Sequence, residues 1–462
     1  MPLLDCNEDV LRLILDCLGP APLAVVCRVH PYLRHLAEPV LYSTVDLTFH
    51  GDKLPPVDLF LRTILQRPDL AARVRNLSLS GTHPHILRFP GHVPKPLPDV
   101  SGREAAIAFI VDTQLPYREQ WIEGLLDGAL DAYMALVLSQ LPRLRALRLG
   151  CYYKPSGRGL LGAVLRAMAG VDGPDSDSSI PGIQARLDQL QSFSLDPDVH
   201  HHQRRTRWNT EDVFSLFYVP AVRELSIFVR DKLLAESEVP WPVATPPSAR
   251  ELVSLRIMGI RESQLRHVLS ATPALRSLQW LWSFSSKTRG AVSSPVVNLG
   301  HVMSALSHVK DTLGKLVVFT AAHESSSISS QLSVQGSLRP LAAFEHVRKL
   351  VMPMVFFTGF TLPARQGLGR CLPCNLEELK LTDRLFDRVQ DRVEWGEGRV
   401  MAREICAYLE QVESFTPRLR KLVLQLQISR WHDRPLPGMD IRELAGRAGI
   451  EFQVVRPRLW PH

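Results

Sequence analysis

The sequence predicts an α/β protein, an irregular solenoid of helix and strand repeats behind a short module of three helices. An apolar triplet at offsets zero, three and five recurs along most of the chain, and three helix patterns precede its first copy. A length of 462 residues also suits a repeat array, because single compact cores stop growing well below it. We therefore divide the chain into a helical module, residues 1–47, and a repeat region, residues 48–462.

The composition favours a folded chain in a reducing compartment. Apolar residues make up 45% of the sequence and charged residues 22%, so most of the chain is expected to fold. No stretch resembles an 18-residue apolar span and residues 1–7 lack a signal-type pattern, so we expect no membrane contact and a cytoplasmic or nuclear location. Seven cysteines, including Cys17, Cys27 and Cys406 inside apolar patterns, indicate reduced core thiols.

The first 47 residues contain three helix patterns followed by a strand. Residues 7–18 carry apolar residues at helical spacing, with Asn7 as the N-cap. A second helix is interrupted by Pro31, and a third is broken or ended near Pro39. Residues 43–49 alternate as a strand. Helices this short cannot bury all their apolar surface alone, so the rest of the chain or a partner must cover what remains.

The order and chemistry of these helices resemble the F-box. The matching residues are Asp9-Val10-Leu11, Ile14-Leu15, Leu18, Val26-Cys27-Arg28, Leu36-Ala37 and Leu41-Tyr42. F-box helices dock on an SKP-type adaptor, so the resemblance implies that adaptor, and through it a cullin, as partners. The residues that it assigns to adaptor binding are Val10, Leu11, Ile14, Leu15, Leu23, Val26, Cys27 and Arg28.

The apolar triplet recurs ten times beyond residue 52. The copies are Val74-Leu77-Leu79, Leu144-Leu147-Leu149, Leu190-Phe193-Leu195, Val222-Leu225-Ile227, Leu252-Leu255-Ile257, Leu275-Leu278-Trp280, Leu313-Leu316-Val318, Val347-Leu350-Met352, Leu376-Leu379-Leu381 and Leu419-Leu422-Leu424. Such triplets arise by chance about a dozen times in a chain of this composition. The residues around each triplet must therefore show whether it belongs to a repeat.

Proline supplies that context. Pro142, Pro220, Pro273 and Pro417 each stand two residues before a triplet and close a helical stretch. A helix, a proline stop, a turn and a short buried strand make one leucine-rich-repeat unit, whose strands pair in parallel with those of neighbouring units. The chain thus resembles the F-box plus leucine-rich-repeat proteins that are abundant in fungi, and the resemblance covers nearly its whole length.

The spacing of the copies requires insertions, because it exceeds the 20–29 residues of regular repeats in several places. The candidate insertions, rich in Pro, Gly, Ser or His, are residues 89–103, 170–181, 197–208, 240–250, 283–295 and 323–333. Amphipathic helices are predicted over residues 118–141 and 398–412. A final helix over 440–447 and a strand over 450–455 are separated by Gly449, which suits a helix stop.

Candidate chemical sites are few. Cys371 and Cys374 have the spacing of a redox pair or half a zinc site, but no second pair follows, and we interpret them as inert thiols. Residues 200–202 are three adjacent histidines, which do not share a helix face and stand beside arginines that repel a cation. No nucleotide-binding loop, serine elbow or zinc-protease motif occurs. We expect no catalysis, no metal and no cofactor.

Two groups of residues are candidates for binding a partner through the repeats, since arginine and aromatic side chains dominate binding hot spots. These residues are Arg204, Arg205, Arg207, Trp208 and Trp282. The alternative for the aromatic cluster is that Trp280 and Phe284 belong to the core.

The sequence therefore predicts a substrate-recognition subunit of an SCF-type cullin-RING ubiquitin ligase. The F-box-like module would bind the SKP-type adaptor and the repeats would bind a target protein that the sequence does not identify. A first alternative is an adaptor-independent interaction scaffold, in which the three helices only cap the end of the solenoid. A second is nucleic-acid binding through the net charge of +7, although Lys and Arg are scattered among Asp and Glu.

Overall fold

The structure is a computed structural model of the 462-residue chain. It describes residues 4, 6–50, 55–82, 102–150, 159–171, 187–195, 210–229, 241–285, 294–323, 332–360, 367–385, 399–426 and 438–455. The chain forms two compact units, Met1–Val222 and Arg223–His462. The three N-terminal helices and the first repeats share one unit.

The first unit begins with three short helices. They are α1 (Glu8–Asp16), α2 (Pro20–Val29) and α3 (Pro31–Leu41). The side chain of Asn7 accepts a hydrogen bond from the N–H of Asp9 at 3.1 Å, which confirms the predicted N-cap. Prolines stand in the first turns of α2 and α3, where an N–H would have no helical acceptor.

The third helix continues through Pro39 without a break and ends two residues later, at Leu41, so the predicted end near Pro39 is confirmed. The proline lacks an N–H and removes one bond, to the carbonyl of His35. The last turn still closes, because the N–H of Tyr42 donates to the carbonyl of Glu38 at 3.0 Å. Losing a single bond near a helix end is tolerated when packing holds the helix in place.

The repeats of the first unit contribute four parallel strands. They are β1 (Thr44–His50), β2 (Asn76–Thr82), β3 (Ala146–Leu149) and β4 (Ser192–Leu195), paired in that order. The apolar positions are in register, with Leu77 opposite Leu147 and Leu147 opposite Phe193. All three are buried, so the predicted triplets line up in one core.

Helices cover that core. They are α4 (Val57–Gln66), α5 (Pro68–Ala71), α6 (Arg103–Asp112), α7 (Arg118–Leu126), α8 (Leu130–Ser139), α9 (Leu160–Met168) and α10 (Thr210–Phe214), which a 3₁₀ turn (Ser215–Tyr218) extends. The single helix predicted over 118–141 is two helices. Gly128 separates them with φ of +65°, a conformation that ends a helix and that glycine adopts without strain.

Buried polar groups fix the packing of α8, whose ten residues are all buried. The carboxylate of Asp131 accepts hydrogen bonds from the N–H groups of Leu160 and Leu161, each at 3.0 Å, at the N-terminus of α9. The indole N–H of Trp121 donates to the carbonyl of Ala132 at 3.0 Å. These bonds satisfy groups that would otherwise be buried without partners.

Over its described residues, the second unit has eight parallel strands in one sheet and a separate pair. In sheet order the eight are β5 (Glu224–Phe228), β6 (Ser254–Met258), β7 (Ser277–Ser285), β9 (Lys315–His323), β11 (Lys349–Pro353), β12 (Glu378–Thr382), β13 (Lys421–Gln425) and β14 (Glu451–Val455). The pair is β8 (Val296–Asn298) with β10 (Ser333–Gln335). The sequence did not indicate this pair, because three residues are too few for a periodic pattern.

The helices of the second unit are mostly short. They are α11 (Glu262–Ser270), α12 (Leu299–Leu306), α13 (Val355–Thr358), α14 (Arg399–Leu409), α15 (Val412–Phe415) and α16 (Gly438–Arg447), with 3₁₀ turns at Ser307–Val309, Arg339–Ala343 and Leu368–Cys371. Gly449 has φ of +69° after α16, as its predicted role as a helix stop requires.

All ten predicted triplets place their second and third apolar residues in strands, and the strands pair in parallel within each unit. The predicted parallel α/β repeat is thus confirmed in the described parts of both units. Of the predicted insertions, only 240–250 is described almost completely, and its residues 241–249 form bends and irregular chain. The other insertions lie wholly or partly outside the described residues.

Candidate interaction surfaces

The three N-terminal helices have a core of their own. Its buried residues are Leu11, Leu15, Leu23, Leu33, Leu36 and Ala37. Val26 and Cys27 pack against this cluster and remain partly accessible. The module is therefore organised around its own apolar centre, not simply laid against the repeats.

Outside that core the module exposes large apolar side chains. We call those on the three helices the N-terminal apolar surface, and they are Val10, Leu13, Ile14, Val25, Val29 and Tyr32, between 38% and 70% exposed. Val10, Leu13 and Ile14 are neighbours on α1 at spacings of three and four residues. Single exposed apolar residues are common, but six on three short helices leave apolar area that a partner can cover.

The structure divides the residues predicted to bind an adaptor into three groups. Val10, Ile14 and Arg28 are exposed. Val26 and Cys27 are half-buried. The remaining three, Leu11, Leu15 and Leu23, are at most 3% exposed in the module core, so they support the surface and are not available for direct contact. These three leucines were predicted as contact residues because the F-box pattern records which positions are apolar. It does not show which side of an apolar helix faces the core.

Four exposed apolar residues were missed by the sequence analysis. They are Leu13, Val25, Val29 and Tyr32. Val25 and Val29 stand four residues apart on α2, which places them on one side of that helix. The sequence contains a second set of apolar residues at helical spacing, beside the set that forms the core. That second set could have predicted the exposed residues.

Glu38 links the module to the first repeat. Its carboxylate contacts the guanidinium of Arg34 at 2.7 Å and that of Arg67 at 3.3 Å. Burial, and then the negative charge of Glu38, raises the pKa of the Cys27 thiol and of the Tyr42 hydroxyl above their ordinary values. Both groups therefore stay neutral at physiological pH.

The strands of the second unit present a row of side chains on the face opposite the leucine core. The row is Ser226, Arg256, Gln279, Val317, Val351, Lys380, Val423 and Gln453. Its three valines are only 4–5% exposed. Burial lowers the pKa of Lys380, which lies between two of them in register, while the Glu378 carboxylate opposes that shift. The middle of this face is therefore largely apolar, with Lys380 and Gln279 as its partly exposed polar residues.

Comparison with known proteins identifies the repeats. A sequence model of the leucine-rich repeat domain matches residues 49–430, most of the chain. The chain belongs to the leucine-rich repeat family. The match begins directly after the helical module, and no curated protein matches the chain. A leucine-rich repeat domain serves to bind other proteins, which gives this chain a role in protein interaction.

One predicted contact residue of the leucine-rich repeat region, Trp282, is 0% exposed. The guanidinium of Arg261 lies over its ring, 4.7 Å from the centroid. Trp280 and Phe284 are also buried, and the Trp280 indole N–H donates to the carbonyl of Ile260 at 3.1 Å. The alternative, that Trp280 and Phe284 belong to the core, is confirmed, and Trp282 is buried with them because the nine-residue strand β7 turns alternate residues inward.

The other predicted contact residues cannot be placed. Arg204, Arg205, Arg207 and Trp208 lie outside the described residues, as do the three histidines at 200–202. Within the described ranges, no group of three His, Cys, Asp or Glu side chains could hold a metal ion. Over the same part of the leucine-rich repeat chain, no helix is both long and apolar enough to cross a membrane.

No described cysteine forms a disulfide, and the described cysteines differ in exposure. Cys17 and Cys374 are exposed, against the expectation of core positions for Cys17, whereas Cys371 is buried. Cys17 is exposed because it caps the C-terminal end of α1, beyond the core face of that helix. Burial raises the pKa of Cys371 to about 11.

We expect iodoacetamide at about pH 8 to alkylate Cys374 rapidly and Cys371 only after unfolding, since the thiolate is the reactive form. The raised pKa keeps the folded Cys371 thiol neutral until the pH approaches about 11. Peptide mass spectrometry after timed alkylation measures both rates in one sample. Equal rates in the folded protein would contradict the burial of Cys371.

Proposed function

We propose that the chain is a substrate-recognition subunit of an SCF-type cullin-RING ubiquitin ligase. The N-terminal apolar surface binds an SKP-type adaptor, which joins the chain to a cullin, and the leucine-rich repeats bind the protein to be ubiquitinated. The chain itself performs no chemistry, requires no cofactor and acts in the cytoplasm or the nucleus.

The observation that carries this proposal is that the three helices form a core of their own and still expose six large apolar side chains. A helix set that served only as an end cap would direct such residues toward the first repeat. Burial of a whole aliphatic side chain contributes about 1.5–3 kcal/mol, so residues that are already half covered contribute about half as much each. Several of them together suffice for a stable complex.

The flanking charges suit a docking surface as well. Arg12 and Glu8 form an exposed ion pair on α1, and Arg28 stands exposed near the end of α2. A polar rim around an apolar centre is the usual arrangement of protein interfaces. The resemblance of the same helices to the F-box supports an SKP-type adaptor as the proposed partner.

We expect the double substitution L13D/V29D to reduce the affinity for a purified SKP-type adaptor at least about tenfold, because each change places a charge in an apolar contact. Both side chains are exposed in the free protein, so the fold remains intact. Isothermal titration calorimetry of the full chain measures the affinity, and circular dichroism checks the fold.

The matched control is Leu59→Asp. Leu59 is 46% exposed on α4, outside the module but in the same unit, and its substitution is expected to leave adaptor affinity within about twofold. The ligase proposal fails if the wild-type chain does not bind the adaptor, or if L13D/V29D binds as well as Leu59→Asp.

A specific observation favours the alternative of an adaptor-independent scaffold. Glu38 bridges α3 to Arg67, and the chain passes directly from α3 into β1, the first strand of the sheet in that unit. The module thus also closes the first repeat, as a cap does. Absence of adaptor binding by a folded wild-type chain would leave this scaffold role as the better account.

A further inference from the structure

Four arginines lie side by side in two neighbouring repeats of the first unit. Arg73 and Arg75 flank the first apolar position of one triplet, and Arg143 and Arg145 flank the same position of the next. The N–H of Arg145 donates to the carbonyl of Arg75 at 2.7 Å, which makes the two residues direct neighbours across the turn. All four side chains are exposed. We call them the arginine quartet.

No carboxylate among the described residues neutralises the quartet. Over the described residues, no ion pair or hydrogen bond joins any of these four guanidinium groups to a carboxylate. Corresponding positions in the second unit are paired, since Arg223 contacts Glu251 at 3.4 Å and Arg348 contacts Glu377 at 2.8 Å. The same positions are therefore charge-balanced at those two sites of the second unit and positive at the two repeats that carry the quartet.

The positive patch is also short. In the following repeat of the first unit, the two equivalent positions are Gln189 and Gln191, and Asp188 beside them is exposed. The quartet spans two neighbouring strands, which are about 4.8 Å apart. At the third strand the positive charges give way to the amides of Gln189 and Gln191 and the negative charge of Asp188. A ligand that matches it must concentrate a few negative charges within a short length.

We propose that the arginine quartet binds a short acidic segment of a partner protein, whose Asp and Glu carboxylates pair with the guanidinium groups. Arginine forms two parallel hydrogen bonds with a carboxylate, and arginines are frequent in binding hot spots. A nucleic-acid strand fits less well, since its evenly spaced phosphates would continue past the quartet to Asp188. The inference concerns the repeats alone and does not depend on adaptor binding.

The test measures binding of labelled oligo-glutamate, and of oligo-glutamine of equal length, to the full chain by fluorescence anisotropy. We expect the wild type to bind oligo-glutamate only, with an affinity that falls as salt is added. Reversal of all four charges, R73E/R75E/R143E/R145E, is expected to weaken binding more than about tenfold. Neutralisation of the central pair, R75Q/R145Q, is expected to weaken it about threefold and guards against a folding effect of the reversals.

The matched control is R418E/R420E in the second unit. These exposed arginines occupy the same two positions of their repeat, but Glu377 and Glu451 lie in the neighbouring repeats. The control is expected to change oligo-glutamate affinity less than about twofold. The inference is overturned if the wild type does not bind oligo-glutamate, if the control loses as much affinity as the reversal, or if single-stranded RNA of equal charge binds the quartet more tightly.

Discussion

Replacing Gly259 by alanine is expected to lower the free energy of unfolding by at least about 3 kcal/mol, one of the two largest effects anticipated for a single change in this chain. Gly259 follows β6 and has φ of +84°, a region that residues with a Cβ avoid. A Cβ at this position would overlap the carbonyl oxygen of Val229, whose N–H donates to Met258 at 2.8 Å. Removing this overlap requires the backbone of two neighbouring repeats to move.

Urea unfolding of the full chain, followed by circular dichroism, measures this loss. The matched control is Gly314→Ala. A Cβ at Gly314 would lie 3.6 Å from the carbonyl oxygen of Arg276, an ordinary contact, so its effect is expected to stay within about 1 kcal/mol. If the two alanine variants unfold at the same urea concentration, the close approach at Gly259 does not exist in solution.

The second large effect is expected at a buried ion pair. Arg261 and Glu262 are each 3% exposed, and the guanidinium donates to the carboxylate at 2.8 and 3.1 Å. Glu262 also accepts the N–H of Asn298 at 2.8 Å, and Arg261 donates to the carbonyl of Ser294 at 2.9 Å. The pair thus attaches the start of α11 to the short strand β8.

Substitution of Glu262 by leucine is expected to cost about 3–5 kcal/mol, because it leaves the positive charge of Arg261 buried without its partner. Adding Arg261→Met in the same chain is expected to recover part of this loss, since no buried charge then remains. Thermal unfolding of both single variants and the double variant measures the coupling between the two positions.

The control for this cycle is the exposed pair of Lys421 and Glu451, 3.2 Å apart. Glu451→Leu is expected to change stability by less than about 1 kcal/mol, because water screens the remaining lysine. Strictly additive effects at Arg261 and Glu262 would mean that their contact contributes nothing to folding.

The repeat fold could be predicted from local pattern because it is a local property. Each triplet, such as Leu379 and Leu381 in β12, alternates inward and outward along its own strand, and each copy needs only its neighbour to form a core. The Asn7 cap and the Gly449 stop depend on bonds within a few residues. Two short strands, β8 and β10, carried no such pattern and were missed.

The candidate surfaces were predicted less well, for a different reason. Leu11 and Leu13 are both apolar residues on the same helix, yet one is in the module core and the other is exposed. Trp282 has the residue type of a binding hot spot, but the sheet turns it inward under Arg261. The residue type shows how strongly a side chain could bind a partner. Whether that side chain is exposed depends on which helices and strands pack around it.

The sequence by itself determined the parallel α/β repeat architecture and the three-helix start, because hydrophobic periodicity, prolines and caps act over a few residues. Only the tertiary structure decided which apolar residues of the module stay exposed and which arginines lack a carboxylate. Both depend on residues far apart in sequence. Arg75 and Arg145 are separated by 69 intervening residues but are joined by a backbone hydrogen bond, and no local pattern contains that neighbourhood.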